Sequence, residues 1–221
     1  MIQQPLKAVL FDLDGTLIDS ENFYYSNWAP ILADSFGLHI TFDDWIREYA
    51  GHTLLRNVNY LNEKYQVNTT EEYMWKATRA SYAKSGMRNI RLMPFAKEVL
   101  DILKNKNIRI GLVTSSYQTT VNTVLGEHGL LDYFEFFVTR EVVQNAKPNA
   151  EPYLLAIAKL GLPKEQIIAI EDTITGTTAA IGGGLYCIAV SKHETERERL
   201  DGKADLLLES MEEIVPYLHL S

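Results

Sequence analysis

A single cysteine stands among 221 residues, so no disulfide can form within the chain. Without a CxxC pair or a Cys/His cluster, a structural zinc module is excluded as well. A reducing compartment is the expectation. Basic residues are also short, with 21 Lys and Arg against 29 Asp and Glu and a formal charge of −8. That sign opposes the phosphate backbone of nucleic acid, and no nucleic-acid partner is expected. Long apolar runs are missing: the N-terminal MIQQPLKAVLF reaches Asp12 before one develops. Neither a secretory signal nor a membrane span is predicted, and the protein reads as cytoplasmic, with no membrane partner. The five histidines never fall into HxH or HExxH spacing, which argues against a histidine metal site. Repeats, low-complexity tracts and Pro/Gly-rich linkers are absent too. What remains is a composition 46% apolar and 23% charged, long enough to bury a sizeable core in one large or two small domains.

Short apolar runs recur, each ending in small or polar residues and each followed by a helix-like stretch. They are Lys7 to Phe11, Arg109 to Val113, Phe136 to Val138, Ile167 to Ile170, Tyr186 to Val190 and Ala204 to Leu208. Alternation of this kind predicts an α/β fold with a doubly wound parallel sheet. Helical faces are expected at Phe95, Val99, Leu100, Ile102 and Leu103, and again at Leu154, Leu155, Ile157, Ala158 and Leu160. From about Ser20 to Arg91 the rhythm breaks into aromatic-rich, helix-spaced sequence without a strand-like run. An inserted α-helical domain over 20–91 is predicted, with the α/β domain formed by 1–19 and 92–221. Thr41 and Thr70 each precede two acids and read as N-caps, and at least three helices are expected in the insertion.

Ligands of open parallel α/β sheets sit outside the carboxyl ends of the strands. Four strand ends here supply polar groups: Asp12, Asp14 and Thr16 after the first, Thr114, Ser115 and Ser116 after the second, Lys147 and Pro148 beyond the third, and Glu171 and Asp172 at the fourth. Unit charges at about 4 Å interact by about 4 kcal/mol at an effective dielectric near 20. One lysine cannot balance such a cluster of acids. Either some carboxyls hold protons or a divalent cation is bound, and hard oxygen ligands suit Mg²⁺. A metal and a lysine beside hydroxyls and loop amides match the needs of a phosphoryl group, so a small phosphorylated substrate is expected.

The motifs DLDGT at 12–16, TS at 114–115, KP at 147–148 and ED at 171–172 resemble, in order and placement, those of the haloacid dehalogenase-like hydrolases. Within that family the pattern is similar to the β-phosphoglucomutase and phosphatase subgroup with a helical cap. The resemblance implies a Rossmann-like core and an Mg²⁺-dependent phosphatase working through an aspartyl-phosphate. It makes Asp12 the nucleophile and Asp14 the proton donor, later the activator of water, with the Asp14 backbone carbonyl helping to hold the metal. By the same resemblance Asp172 is a metal ligand, Glu171 a direct or water-mediated one, Thr114 and Ser115 phosphate contacts, and Lys147 the charge that steadies Asp12 and the phosphoryl oxygens. The cap is expected to close over the site, excluding water and reading the leaving group.

Taken singly these residues have plainer explanations. Asp12 or Asp172 could cap a helix, Thr114 and Ser115 could cap the one starting near Gln118, and Lys147 could be solvated. Their joint occurrence decides for function. Gly182, Gly183 and Gly184 read as a turn, and Cys187 as buried core. Thr16, Tyr24 and His52 are candidates for the substrate cleft, against the plainer reading of Phe23, Tyr24, Tyr25 and Trp28 as core of the insertion. A β-phosphoglucomutase-like isomerase is the nearest alternative. Tyr24 stands where that mutase has a histidine, and its GxxR pattern is broken, since His52, Thr53 and Leu54 follow Gly51 and Arg56 comes late. A phosphoaspartate signalling receiver, without turnover, would not need an insertion of this length.

Overall fold

Ala8–Phe11 is buried at every position and forms β1, a strand inside a six-stranded parallel sheet. The others are β2 Arg109–Val113, β3 Phe136–Val138, β4 Ile167–Glu171, β5 Tyr186–Val190 and β6 Leu206–Leu208, in the order β3-β2-β1-β4-β5-β6. All adjacent pairs are parallel. The sheet winds outward from β1 in both directions, so its switch point lies between β1 and β4, where such folds bind ligands. This computed structural model describes residues 5–219, and the α/β class and parallel sheet expected from the strand pattern are what it contains. The strand at Ala204 starts later than expected, because the Ala204 amide bonds back to the Leu200 carbonyl at 3.2 Å and extends a turn.

By its contacts the chain forms two compact units, one running to Asp19 and resuming at Arg91, the other Ser20–Ile90. Within the first, the segments leading out and back are tied together. The Asp19 amide donates to Arg91 O at 2.8 Å and the Met93 amide to Leu17 O at 2.9 Å.

The second unit holds α1 Ser20–Phe36, α2 Phe42–Glu48, α3 Leu54–Tyr65 and α4 Glu71–Ser85. Thr41, Thr53 and Thr70 cap α2, α3 and α4 with their hydroxyls; the cap at Thr53 was not anticipated from the sequence. Its core gathers Trp28, Leu32, Trp45, Tyr49, Leu61 and Met74, with Tyr24 packed against them. Trp45 and Tyr49 stack at 5.5 Å.

In the first unit the sheet is covered by α5 Ala96–Asn105, α6 Gln118–Glu127, α7 Glu151–Leu160, α8 Ile174–Gly182 and α9 Glu194–Leu200. Two expected faces need correction. In α5 the buried residues are Ala96, Val99, Leu100 and Leu103, whereas Phe95 is the N-cap, at φ 63, and 41% exposed. In α7 the buried stripe is Tyr153, Ala156 and Leu160, and Leu154 is 52% exposed. Tyr153, Ala156 and Leu160 share the core with Leu10, Ala169 and Cys187.

Candidate active site

The ladder carries Asp12 one step beyond β1, where its amide donates to Ile170 O at 2.9 Å. The chain then turns sharply: Gly15 has φ +81, and a Cβ there would lie 2.0 Å from Asp172 Oδ2. Glycine is required on both counts. The turn places Thr16, almost fully buried, with its hydroxyl 3.4 Å from Asp172 Oδ1, and points Asp14 toward the end of β2, where Ser116 Oγ donates to Asp14 Oδ2 at 2.7 Å. Thr114 is buried, and its Oγ1 accepts from the Ser116 amide at 3.0 Å. Ser115 is exposed.

Lys147 is not a solvated loop lysine. Its ammonium is buried and donates to Asp12 Oδ1 at 2.6 Å, Glu171 Oε1 at 2.5 Å and Val113 O at 2.8 Å. All three of its N–H groups are thereby satisfied. The loop before it is held by Glu151 at the start of α7, which accepts from the Gln144 amide at 2.7 Å and the Asn145 amide at 2.9 Å.

Glu171 ends β4 and is 1% exposed. It lies so close to the first turn of α8 that a Cβ on Gly176 would fall 1.9 Å from Oε2. Oε1 accepts from Lys147 and from the Tyr153 hydroxyl, each at 2.5 Å, while buried Oε2 has no hydrogen-bond partner among the described residues. Asp172 does not cap α8: Thr173 does, and Glu196 Oε1 takes the Ile174 amide at 2.9 Å. Nor do Thr114 and Ser115 cap α6, whose N-cap is Tyr117 and whose Gln118 amide goes to Glu141 Oε1.

Desolvation is the largest influence on the buried charges. It pushes the Asp12 carboxyl well above its ordinary range, Lys147 pulls it back, and Glu171 and Asp14 raise it further. For Lys147 burial works downward, but Asp12 and Glu171 outweigh it and hold the ammonium protonated.

These groups suit a divalent cation. Asp12, Glu171 and Asp172 can each offer a carboxylate oxygen within 4.8 Å of the others. The donor set is hard oxygen only, and the buried Oε2 of Glu171 has no hydrogen-bond partner among the described residues. Asp14 stands outside this group of side chains, its carboxylate engaged by Ser116.

Among the sequence-derived candidates, Asp12, Asp14, Thr16, Thr114, Lys147, Glu171 and Asp172 thus converge at the carboxyl ends of β1, β2 and β4. Tyr24 and His52 belong to the helical unit, where Tyr24 packs edge-on against Phe23 at 5.8 Å. Sequence reasoning missed Ser116 as the partner of Asp14, although it directly follows the TS pair, and Tyr153, whose place in the YLLAIAKL helix looks like ordinary core.

The family model described as haloacid dehalogenase-like hydrolase matches residues 9–190. A phosphorylated carbohydrates phosphatase of Thermotoga maritima is 30% identical over 199 residues, covering 90% of this chain and 89% of that protein. A phosphoglycolate phosphatase of Nitrosococcus oceani is 27% identical over 97% of this chain and 96% of its own length. CbbY of Rhodobacter sphaeroides, solved with phosphate, shares the fold at a TM-score of 0.79 and 23% identity, over 95% of this chain and 96% of that one. The chain belongs to the haloacid dehalogenase-like hydrolases and is an enzyme, and the Thermotoga maritima and Nitrosococcus oceani relatives that it matches over most of their length are named phosphatases.

Proposed function

We propose that the protein is an Mg²⁺-dependent phosphatase of a small phosphorylated metabolite such as a sugar phosphate, acting through an aspartyl-phosphate on Asp12. The observation that carries this is the buried Lys147 ammonium bridging Asp12 and Glu171 beside Asp172. A carboxylate held by a lysine at the switch point of a parallel sheet is suited to attack a phosphoryl group whose charge the same lysine offsets. The phosphatase names of the relatives from Thermotoga maritima and Nitrosococcus oceani support the reaction class.

In the first displacement an Asp12 carboxylate oxygen forms a bond to phosphorus as the ester P–O bond breaks. Asp14 gives its proton to the departing alcohol oxygen. In the second, Asp14 takes a proton from water, whose oxygen attacks phosphorus. The bond to Asp12 then breaks, phosphate leaves, and Asp14 is protonated again. Ser116 holds Asp14 toward the reacting bond. Thr114 and Ser115 meet the phosphoryl oxygens, and the Lys147 ammonium, held against Asp12, offsets their charge. Asp12, the Asp14 backbone carbonyl, Glu171 and Asp172 would hold Mg²⁺, which when bound supplies positive charge against the carboxylates and the phosphoryl group.

The test is release of phosphate from p-nitrophenyl phosphate and from a panel of sugar phosphates with Mg²⁺, with β-glucose 1-phosphate assayed for isomerisation as well. Catalytic phosphate release that disappears in EDTA is the expected result. Full activity in EDTA overturns the metal dependence, isomerisation without net release makes the protein a mutase, and one stable phosphorylation without turnover makes it a receiver.

A further inference from the structure

Tyr153 is a fully buried titratable group with no part in the reaction described above. Its position is specific in two ways. The hydroxyl donates to Glu171 Oε1 at 2.5 Å, and the face of its ring lies 5.2 Å from the Lys147 ammonium. One side chain therefore touches both members of the buried pair that holds Asp12.

Glu171 Oε1 takes two donors and Oε2 takes none. With Gly176 pressed against the carboxylate, there is little room for Glu171 to turn. We propose that Tyr153 is a positioning residue for the cation site. By donating to Oε1 it fixes the Glu171 carboxylate and keeps Oε2 as the oxygen presented to the cation or its water. It also leaves Lys147 free to keep its bond to Asp12. Partners that orient a metal-ligating group in this way affect metal affinity by about 10–100-fold when removed. The inference rests on the cation reading above and adds to it a residue outside the ligand set.

Tyr153→Phe separates the two contacts, because it keeps the ring over Lys147 and removes only the donor. Mn²⁺, titrated by electron paramagnetic resonance, reports binding without turnover. The Mn²⁺ dissociation constant is expected to rise about tenfold, while KM for p-nitrophenyl phosphate at saturating metal stays near that of the unaltered protein. A dissociation constant within twofold of the unaltered protein, with the fold intact, overturns the positioning role and leaves the phosphatase reading standing. An unaltered protein that binds no Mn²⁺ overturns the cation reading and this inference together. Binding of Mn²⁺ by an unaltered protein without phosphatase turnover removes only the proposed reaction.

Should Tyr153→Phe fail to fold, the substitution is repeated in a Glu171→Gln background, where the neutral amide does not need the phenol. Recovery of a normal urea midpoint there means that Tyr153 acts through Glu171. The same loss in both backgrounds means that it serves only packing, and the inference fails.

Discussion

The two units bury polar groups under opposite rules. At the carboxyl ends of β1 and β4, the ionisable Asp12 and Glu171 are almost wholly buried and share the Lys147 ammonium across 135 and 24 residues of sequence. In the helical unit the buried polar groups are neutral amides, hydroxyls and an indole, and several of them bond to one another within the unit. Asn27 accepts from Ser81 at 2.6 Å and Ser85 at 2.7 Å, and Trp28 donates to the Tyr82 hydroxyl at 2.9 Å. A buried ion pair is weak evidence for stability, because its desolvation cost rivals its attraction. A charge cluster that gives the fold so little is therefore best explained by chemistry. The aromatic interior of Trp28, Trp45 and Tyr49 needs no explanation beyond apolar burial.

The sharpest way to break this contrast is Asp12→Asn. The change is nearly isosteric and relieves a carboxyl that burial already disfavours as an anion, so the fold and its urea midpoint are expected to hold. Turnover is expected to fall by about 10⁴-fold or more, as when a covalent nucleophile is removed. Near-normal turnover would show that Asp12 is only another structural acid.

Lys147→Ala tests the same cluster through stability. Removing the cation leaves Asp12 and Glu171 buried without their shared partner, and a loss of about 3–5 kcal/mol is expected from urea unfolding of metal-free protein. The loss should shrink at acidic pH. A carboxyl whose folded pKa is raised becomes more compatible with the fold as it takes a proton, and Asp12 is raised further without Lys147. A deficit below about 1 kcal/mol would mean that water or neighbouring groups replace the lysine at little cost.

Trp45→Ala is the counterpart in the helical unit. It empties a buried position stacked on Tyr49 and breaks the bond from Trp45 Nε1 to Glu21 Oε2 at 2.5 Å. A loss of about 3 kcal/mol is expected. If the helical unit unfolds separately, its transition should shift alone, and Mn²⁺ affinity should not change. A shifted affinity would remove the distinction drawn between the two regions.

Legibility in the sequence follows the same division. The strands could be read because parallel strands buried on both faces are continuous apolar runs, as AVLF and IIAI are. The acids could be read because they end or follow such runs, and Lys147 by its place in the order of the motifs. What escaped is what only tertiary approach creates. Tyr153 meets Glu171 across 18 residues on the buried face of α7, opposite the exposed Leu154. Ser116 meets Asp14 across 102 residues. Glu151 and Glu196 anchor loop and helix amides, though each stands in the first turn of a helix, where an acid read alone looks solvated.

The smallest effect concerns the helix start that was most readable. Thr41 and Asp44 form a capping box: the Asp44 amide donates to Thr41 Oγ1 at 3.1 Å, and Asp44 Oδ2 accepts from the Thr41 amide at 2.9 Å and the Thr41 hydroxyl at 2.8 Å. These bonds, the backbone one foremost, hold the Asp44 carboxyl below its ordinary 3.8. Thr41→Ala deletes the hydroxyl as acceptor and donor but spares the backbone donor, and a loss of about 1 kcal/mol is expected near neutral pH. A depressed folded pKa gives stability that is present above the unfolded value and lost as pH falls through the folded one. The intact box depresses Asp44 more than the truncated one does, so the unaltered protein has more to lose on acidification. The gap in urea midpoint between the two proteins should therefore be full at about pH 6 and narrow as pH is lowered through 3.8. A gap that stayed constant or widened would show that the hydroxyl works only as an acceptor for the Asp44 amide, with no charge involved.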